Sequence, residues 1–136
     1  MPYKLSIDSA GKGFITEYSG VLTTEEFVAC TREKFIQGEE FLSSEYINSF
    51  TYSLSDLTEV SELAIDLDAI KNSANLSAQA LELSRAGIMI VVAPTEVGYG
   101  LGRLWQTYAD GTNNRVRLFR SRKEAEAWIA DGFPAS

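Results

Sequence analysis

The chain has 136 residues, of which 45% are apolar, and its formal net charge is −7 at neutral pH. A domain of this length buries about two thirds of the surface that its unfolded chain exposes, so we expect a single domain over residues 1–136. The sequence contains no histidine, which excludes Ser-His-Asp and Cys-His hydrolases and removes the commonest metal ligand. We therefore expect neither a metal site nor a cofactor.

Cysteine usage, hydropathy and charge indicate where the protein works. The single cysteine, Cys30, excludes an internal disulfide and fits a reducing compartment. The first residues lack the apolar core of a signal peptide, and no apolar run approaches the roughly 20 residues that span a bilayer. The acidic charge argues against nucleic acid as a partner. We expect a cytoplasmic protein without integral membrane association.

The N-terminal part predicts a hairpin followed by a helix. Residues 3–8 alternate polar and apolar side chains, and residues 14–19 form a second strand after a glycine-containing turn. Thr23 and Glu26 have the spacing of a capping box, in which two side chains satisfy orphan backbone N–H groups at a helix start. We therefore expect a helix over residues 24–37, in which Cys30 is a small buried side chain.

The middle of the chain predicts a strand between two helices. Gly38 is placed to end the first helix, because glycine favours the left-handed conformation found at helix C-termini. Residues 49–55 alternate again and predict a third strand, whereas residues 60–66 are expected to form a loop. Apolar residues then recur at helical spacing over residues 67–84, which predicts the second helix.

The apolar run at residues 87–93 has no polar alternation, which is typical of a strand buried on both faces inside a helix-covered parallel sheet. The next helix contains Gly98 and Gly102, which lie four residues apart on one helix face and favour close packing against a neighbouring element. A dinucleotide-binding loop has the pattern Gly-x-Gly-x-x-Gly, which residues 98–103 do not match because position 103 is arginine. A strand at residues 115–119 and a helix capped by Ser121 complete the order ββαβαβαβα. This order predicts an α/β layered fold, with a mixed sheet of about five strands, an N-terminal antiparallel hairpin and parallel central strands flanked by helices.

Two segments carry a resemblance to a known family. Residues 98–105 read GYGLGRLW, and residues 116–129 read VRLFRSRKEAEAWI. With the triplet Asp56-Leu57-Thr58 at a strand end, they resemble the SpoIIAA-like family, small bacterial proteins with a STAS-like, Sec14-related fold. The resemblance covers most of the chain and implies the layered fold described above.

The resemblance also implies a regulatory role without catalysis. In strict STAS members a serine at a helix start is phosphorylated, in a motif that usually reads Asp-Ser-Ser-Gly, and the added charge switches partner binding. The equivalent region here, residues 61–68, reads SELAIDLD and lacks that motif. Ser61 is a weak substitute for the phosphorylated serine.

Ligands of open α/β sheets gather beyond the carboxyl ends of the parallel strands. Nine residues are expected at that edge as a surface for a ligand or partner, none of them catalytic: Asp56, Thr58, Thr95, Glu96, Tyr99, Arg103, Trp105, Arg120 and Ser121. The five bases within residues 115–123 either contact an anion or an acidic partner, or form a solvated strand edge and helix start.

Three functions remain open from the sequence. The leading one is a non-enzymatic regulatory or protein-interaction module with a regulatory protein as its partner. The second, by analogy with Sec14-like folds, is a carrier or sensor of a lipid or small apolar ligand, which needs an apolar cavity of a few hundred cubic ångströms. The third is an enzyme that works without histidine. A homodimer through the N-terminal hairpin or an exposed helix is a further expectation.

Overall fold

The computed structural model describes residues 3–7, 13–42, 52–83, 88–109 and 116–134. Within these ranges the chain forms five strands and four helices in the predicted order. The strands are β1 (Tyr3–Ile7), β2 (Gly13–Thr23), β3 (Tyr52–Ala64), β4 (Ile88–Val92) and β5 (Val116–Phe119). The helices are α1 (Thr24–Leu42), α2 (Leu67–Leu83), α3 (Glu96–Ala109) and α4 (Arg122–Ala130).

The described strands form one mixed sheet in the order β1-β2-β3-β4-β5. β1 and β2 are antiparallel, and every following pair of neighbours is parallel. Parallel neighbours require a crossover connection, and α1, α2 and α3 provide the three that the sheet needs. The predicted α/β fold, with its antiparallel hairpin and parallel central strands, is confirmed.

β4 is the interior strand that the apolar run predicted. It pairs with β3 on one side and with β5 on the other, and residues 89–92 are at most 8% exposed. Val92 lies in a core cluster with Ala125 of α4. Met89 faces the opposite side of the sheet, where it packs with Trp105 of α3. Helices therefore cover both faces of this strand.

α3 approaches the sheet closely at its glycines. A Cβ atom placed on Gly102 would lie 2.7 Å from Leu118 Cδ2 and 3.6 Å from Val91 Cγ1. A Cβ atom on Gly98 would lie 3.5 Å from Leu63 Cδ1. A larger residue at position 102 would therefore push the helix away from β4 and β5, and the packing role predicted for both glycines is confirmed.

The N-terminal half contains the predicted cap and the predicted buried cysteine. Glu26 donates its backbone N–H to Thr23 Oγ1 at 3.3 Å, and the Glu26 carboxylate accepts from the backbone N–H of Thr23 at 3.4 Å. Cys30 is fully buried, and its thiol donates to the hydroxyl of Tyr18 at 3.6 Å. Burial raises the pKa of Tyr18 well above its usual value, and Cys30 adds to the effect.

Two predicted boundaries are wrong. α1 continues through Gly38 and ends at Leu42, since one glycine inside a helix costs only about 1 kcal/mol. β3 continues to Ala64, so residues 60–64 are strand and not loop. Two register shifts against β2 insert extra residues into β3 and break the alternation that identifies a strand in the sequence.

Some predictions fall outside the described residues. The glycine-containing turn expected between the first two strands lies there except for Gly13, which begins β2. None of the described helices is long and apolar enough to cross a bilayer.

Candidate functional site

The carboxyl ends of β3, β4 and β5 meet at one edge of the sheet, because the three strands are parallel and in register. Asp56 of β3 lies beside Val92 of β4, which lies beside Phe119 of β5. The starts of α3 and α4 follow directly after the ends of β4 and β5. Most of the predicted site residues gather at this edge in two groups, the Arg122 cluster and the Tyr99 cluster.

The Arg122 cluster consists of Glu17, Asp56, Thr58, Arg122 and Glu126. Arg122 begins α4 and donates from Nη1 to Asp56 Oδ2 at 2.8 Å and from Nε to Glu126 Oε1 at 3.0 Å. Glu17 Oε2 lies 3.8 Å from Arg122 Nη1. Thr58 donates its backbone N–H at 2.9 Å, and also its hydroxyl, to Asp56 Oδ1. One guanidinium thus joins β2, β3 and α4.

Charge compensation explains this arrangement. The side chain of Asp56 is 10% exposed and that of Arg122 is 29% exposed. Burial lowers the pKa of Arg122, but the hydrogen bond and charge of Asp56, followed by those of Glu126, outweigh burial and raise it. Arg122 stays a cation, which Asp56 requires because an uncompensated buried carboxylate is costly. Both oxygens of Asp56 already accept hydrogen bonds, so this carboxylate is engaged in holding α4 on the sheet.

The Tyr99 cluster consists of Thr95, Glu96, Tyr99 and Arg120. Arg120 follows β5, and its Nη1 lies 2.9 Å from Glu96 Oε1. Its guanidinium carbon lies 4.1 Å from the centroid of the Tyr99 ring. Thr95 caps α3 by accepting the backbone N–H of Gly98 at 3.0 Å. The side chains of Arg120 and Glu96 are 46% and 89% exposed, so this cluster presents a cation and an anion to solvent beside the half-buried ring of Tyr99.

Three of the predicted site residues have other positions or roles. Ser121 caps α4 by accepting the backbone N–H of Glu124 at 3.1 Å. Trp105 lies away from the edge: its Nε1 donates to Ser73 Oγ at 3.4 Å, and its ring packs between α3 and α2. It lies nine positions after Glu96 on α3, which is about 13 Å along the axis. Arg103 is exposed on α3, about 10 Å along the axis from Glu96.

Ser61 lies within β3, at one of the register shifts against β2, and not at a helix start. α2 begins after Asp66, whose Oδ1 accepts the backbone N–H of Ala69 at 2.8 Å. The backbone N–H of Asp66 donates to Thr24 Oγ1 at 2.9 Å. The helix start that the resemblance assigns to a phosphorylated serine therefore carries a carboxylate cap in this chain.

The bases around β5 do not converge on one site. Arg117 lies over the Trp128 ring, 4.9 Å from its centroid, and donates to the carbonyl oxygen of Pro134 at 3.2 Å. Arg120 and Arg122 pair with different carboxylates in the two clusters. Arg115 lies outside the described residues. Each described arginine of this segment therefore has its own partner, and they do not form a shared anion site.

A groove of about 320 Å³ lies between α1 and α2, away from the two clusters. Its lining residues are Phe27, Val28, Thr31, Arg32, Ala69, Asn72 and Ser73. Its volume lies at the small end of the range for ligand sites. Four of the seven residues are polar, but most of the surface that lines the groove is apolar. In the part of the chain that the structure describes, no group of three or more Cys, Asp or Glu side chains is arranged to hold a metal ion.

Comparison with known proteins identifies the fold. No protein-family model matches the chain, and no curated protein matches it. A solved structure from Shewanella loihica PV-4, of a DUF3478-family protein with a SpoIIAA-like fold, is 16% identical and has a TM-score of 0.56, over 93% of this chain and 91% of that one. The unphosphorylated anti-sigma factor antagonist SpoIIAA is 14% identical and has a TM-score of 0.53, over 96% of this chain and 98% of that one. The chain therefore has a SpoIIAA-like fold, as its resemblance implied.

Proposed function

We propose that this protein is a non-enzymatic regulatory module that binds a partner protein at the carboxyl-end edge of its sheet. The observation that carries the proposal is the Tyr99 cluster, in which the exposed side chains of Arg120 and Glu96 pair with each other beside the half-buried ring of Tyr99. Arginine and tyrosine are the side chains on which protein interfaces most often depend. A SpoIIAA-like fold is compatible with this role, since one solved structure with that fold is an anti-sigma factor antagonist.

The rigidity of the edge supports binding. Thr95 caps α3, and Gly102 lets that helix lie close against the sheet, so Tyr99 projects from a fixed element. Arg120 is held in turn by Glu96 and the Tyr99 ring. A surface that is ordered before binding loses less conformational entropy when a partner arrives.

The reactive side chains support a role without catalysis. Asp56 is bonded through both oxygens to Arg122 and Thr58, so neither oxygen is poised as a base or nucleophile. The thiol of Cys30 is fully buried against Tyr18. The single cysteine supports a cytoplasmic location.

The residues at the start of α2 support the inference that this protein does not use the phosphorylated switch that the resemblance implies. Asp66 caps α2 with a permanent carboxylate, and Ser61 lies five residues earlier on a strand. We infer that partner binding does not depend on phosphorylation of Ser61. Replacing Ser61 with alanine should leave partner capture unchanged.

Affinity capture from the native cell extract tests the proposal. Wild-type protein is expected to enrich one defined protein, identified by mass spectrometry, and the double variant Tyr99→Ala/Arg120→Ala should capture at least tenfold less of it. The matched control is Lys71→Ala/Tyr108→Ala, which removes another cation–ring contact, 5.7 Å long, near the other end of α3. Equal loss in both variants, or repeated capture of nothing by wild-type protein, would contradict the proposal.

A further inference from the structure

β2 and β3 extend beyond the rest of the sheet. Within the described residues, β1 pairs with β2 only as far as Tyr18, and β4 pairs with β3 only as far as Asp56. Past these points β2 and β3 pair only with each other, over residues 19–23 and 59–64. We call these two segments the ribbon.

The ribbon is held to the domain by one face only. Leu22 is fully buried, and Leu63 packs in the same cluster beside α1. Val21 is 47% exposed, and Glu59 and Glu62 are exposed beside it on β3. The ribbon is therefore anchored by its apolar side chains, while its other face is open to solvent.

The β3 side of the ribbon is an open strand edge. A strand at an edge presents backbone N–H and C=O groups to which an extended segment can add. The N–H of Thr58 is already bonded to Asp56, so the open edge begins at Glu59. From there to Ala64 none of the described strands other than β2 pairs with β3, and at its end the carbonyl of Ala64 accepts a hydrogen bond from Thr24 Oγ1 at 3.4 Å. α3 approaches this segment at Leu63, next to Gly98, which has no side chain.

The negative charge of the ribbon indicates which kind of segment can bind to its open edge. The ribbon contains two acids and no base, and the helices that follow its strands begin with four more acids: Glu25, Glu26, Asp66 and Asp68. Pairing with a second copy of the ribbon would set like charges against each other, which destabilises strand pairs. A segment that carries lysine or arginine would neutralise these acids instead.

We propose that residues 59–64 bind an extended, lysine- or arginine-rich segment of a partner protein, which adds to β3 as a strand. Main-chain hydrogen bonds supply the pairing, and basic side chains of the partner lie against Glu59 and Glu62. This inference rests on the proposed function as a protein-interaction module, and it names the binding surface and the chemistry of the partner. The extended ends of β2 and β3 lie on the same side of the sheet as the Tyr99 cluster, so one partner can contact both.

A ten-residue peptide of alternating lysine and threonine, with blocked ends, is a direct probe. Amide NMR shifts on titration should be largest in residues 19–23 and 57–64. A second peptide of the same sequence, N-methylated at alternate residues, keeps every charge but loses half of its backbone donors. It is expected to bind at least tenfold more weakly. Equal binding of the two peptides would show attraction by charge alone and would overturn the strand-addition proposal.

Two double variants test the role of the acids. Glu59→Lys/Glu62→Lys should weaken peptide binding at least tenfold. The control Glu124→Lys/Asp131→Lys makes the same change in net charge at exposed positions on α4 and its C-cap, and should retain binding. Equal weakening in both, shifts centred elsewhere, or a dimer by light scattering that is lost in Glu59→Lys/Glu62→Lys would overturn the inference. The proposed function fails separately, because its capture experiment depends on the Tyr99 cluster and not on peptide binding.

Discussion

Replacing Arg122 with methionine removes the cation that neutralises Asp56 and keeps an unbranched apolar stem in place of the aliphatic part of the arginine. The carboxylate of Asp56, which is 10% exposed, would be left with Thr58 as its donor. Breaking a fully buried ion pair by removing one partner costs about 3–5 kcal/mol. Because Arg122 is 29% exposed and Thr58 remains bonded, we expect Arg122→Met to lower the free energy of unfolding by about 2–3 kcal/mol.

The chain contains its own control for this prediction. Arg120 pairs with Glu96 at 2.9 Å, almost the same distance as the Arg122 pair, but the two side chains are 46% and 89% exposed. Exposed ion pairs contribute little, so Arg120→Met should cost no more than about 0.5–1 kcal/mol. The difference between the two variants measures the effect of burial at nearly constant distance.

Urea unfolding followed by tryptophan fluorescence measures both costs. With a slope of about 2 kcal/mol per molar urea, Arg122→Met should lower the midpoint by about 1 M or more. Adding Asp56→Asn to Arg122→Met removes both charges, so the double variant should lose less than the sum of the single variants. Additive losses, or an Arg122→Met cost equal to that of Arg120→Met, would refute the idea that Asp56 requires a cation.

Three other properties can be checked independently. Gly102→Val should lower the free energy of unfolding in urea by about 2–3 kcal/mol, because a Cβ atom at this position would lie 2.7 Å from Leu118 Cδ2. Gly100 has open space around it, so Gly100→Val should stay within about 0.5 kcal/mol of wild type. The hydrogen bond to Glu33, with some burial, raises the pKa of Tyr3 to about 12. The ultraviolet titration of wild-type protein should therefore show one ionisation near pH 12 that Tyr3→Phe lacks, whereas the raised pKa of the buried Tyr18 is common to both proteins. This hydrogen bond makes its whole contribution to the free energy of unfolding below pH 10, and the contribution is lost as the pH rises through 12. Native mass spectrometry after gentle purification should show the chain without a bound lipid, because the α1–α2 groove, of about 320 Å³, lies at the small end of the range for ligand sites.

Each of these predictions has a clear opposite result. Equal stability of the two valine variants would mean that α3 does not lie close against β5. Ionisation of Tyr3 near pH 10 would mean that its hydroxyl is not bonded to Glu33. A co-purified lipid would favour the carrier alternative over the regulatory one, and Val28→Arg in the groove should then abolish its binding.

The strands and helices could largely be predicted because their signals are local. The apolar run around Met89 has the pattern of an interior strand, and Thr23 with Glu26 form the cap that their spacing predicts. Boundaries failed where tertiary contacts outweigh local preference. α1 passes through Gly38, and the extra residues of β3 let Leu63 reach the core without regular alternation.

The candidate site was harder to predict, because its contacts join distant parts of the chain. The position of Asp56, Glu96 and Tyr99 follows from the general rule for parallel strand ends. The role of Arg122 does not, since its partner Asp56 lies 66 residues earlier. Trp105 is predicted near the edge because it lies on the helix that starts there, but the length of α3 carries it to the contact with α2.

We propose that the carboxyl-end edge of the sheet contacts a partner protein. A photo-reactive phenylalanine analogue placed at Tyr99 in living cells tests it directly, with the same substitution at Tyr108, near the other end of α3, as the reference. We predict that irradiation links position 99 to one defined protein and leaves position 108 unlinked. No adduct at position 99, or the same adducts at both positions, would contradict the claim.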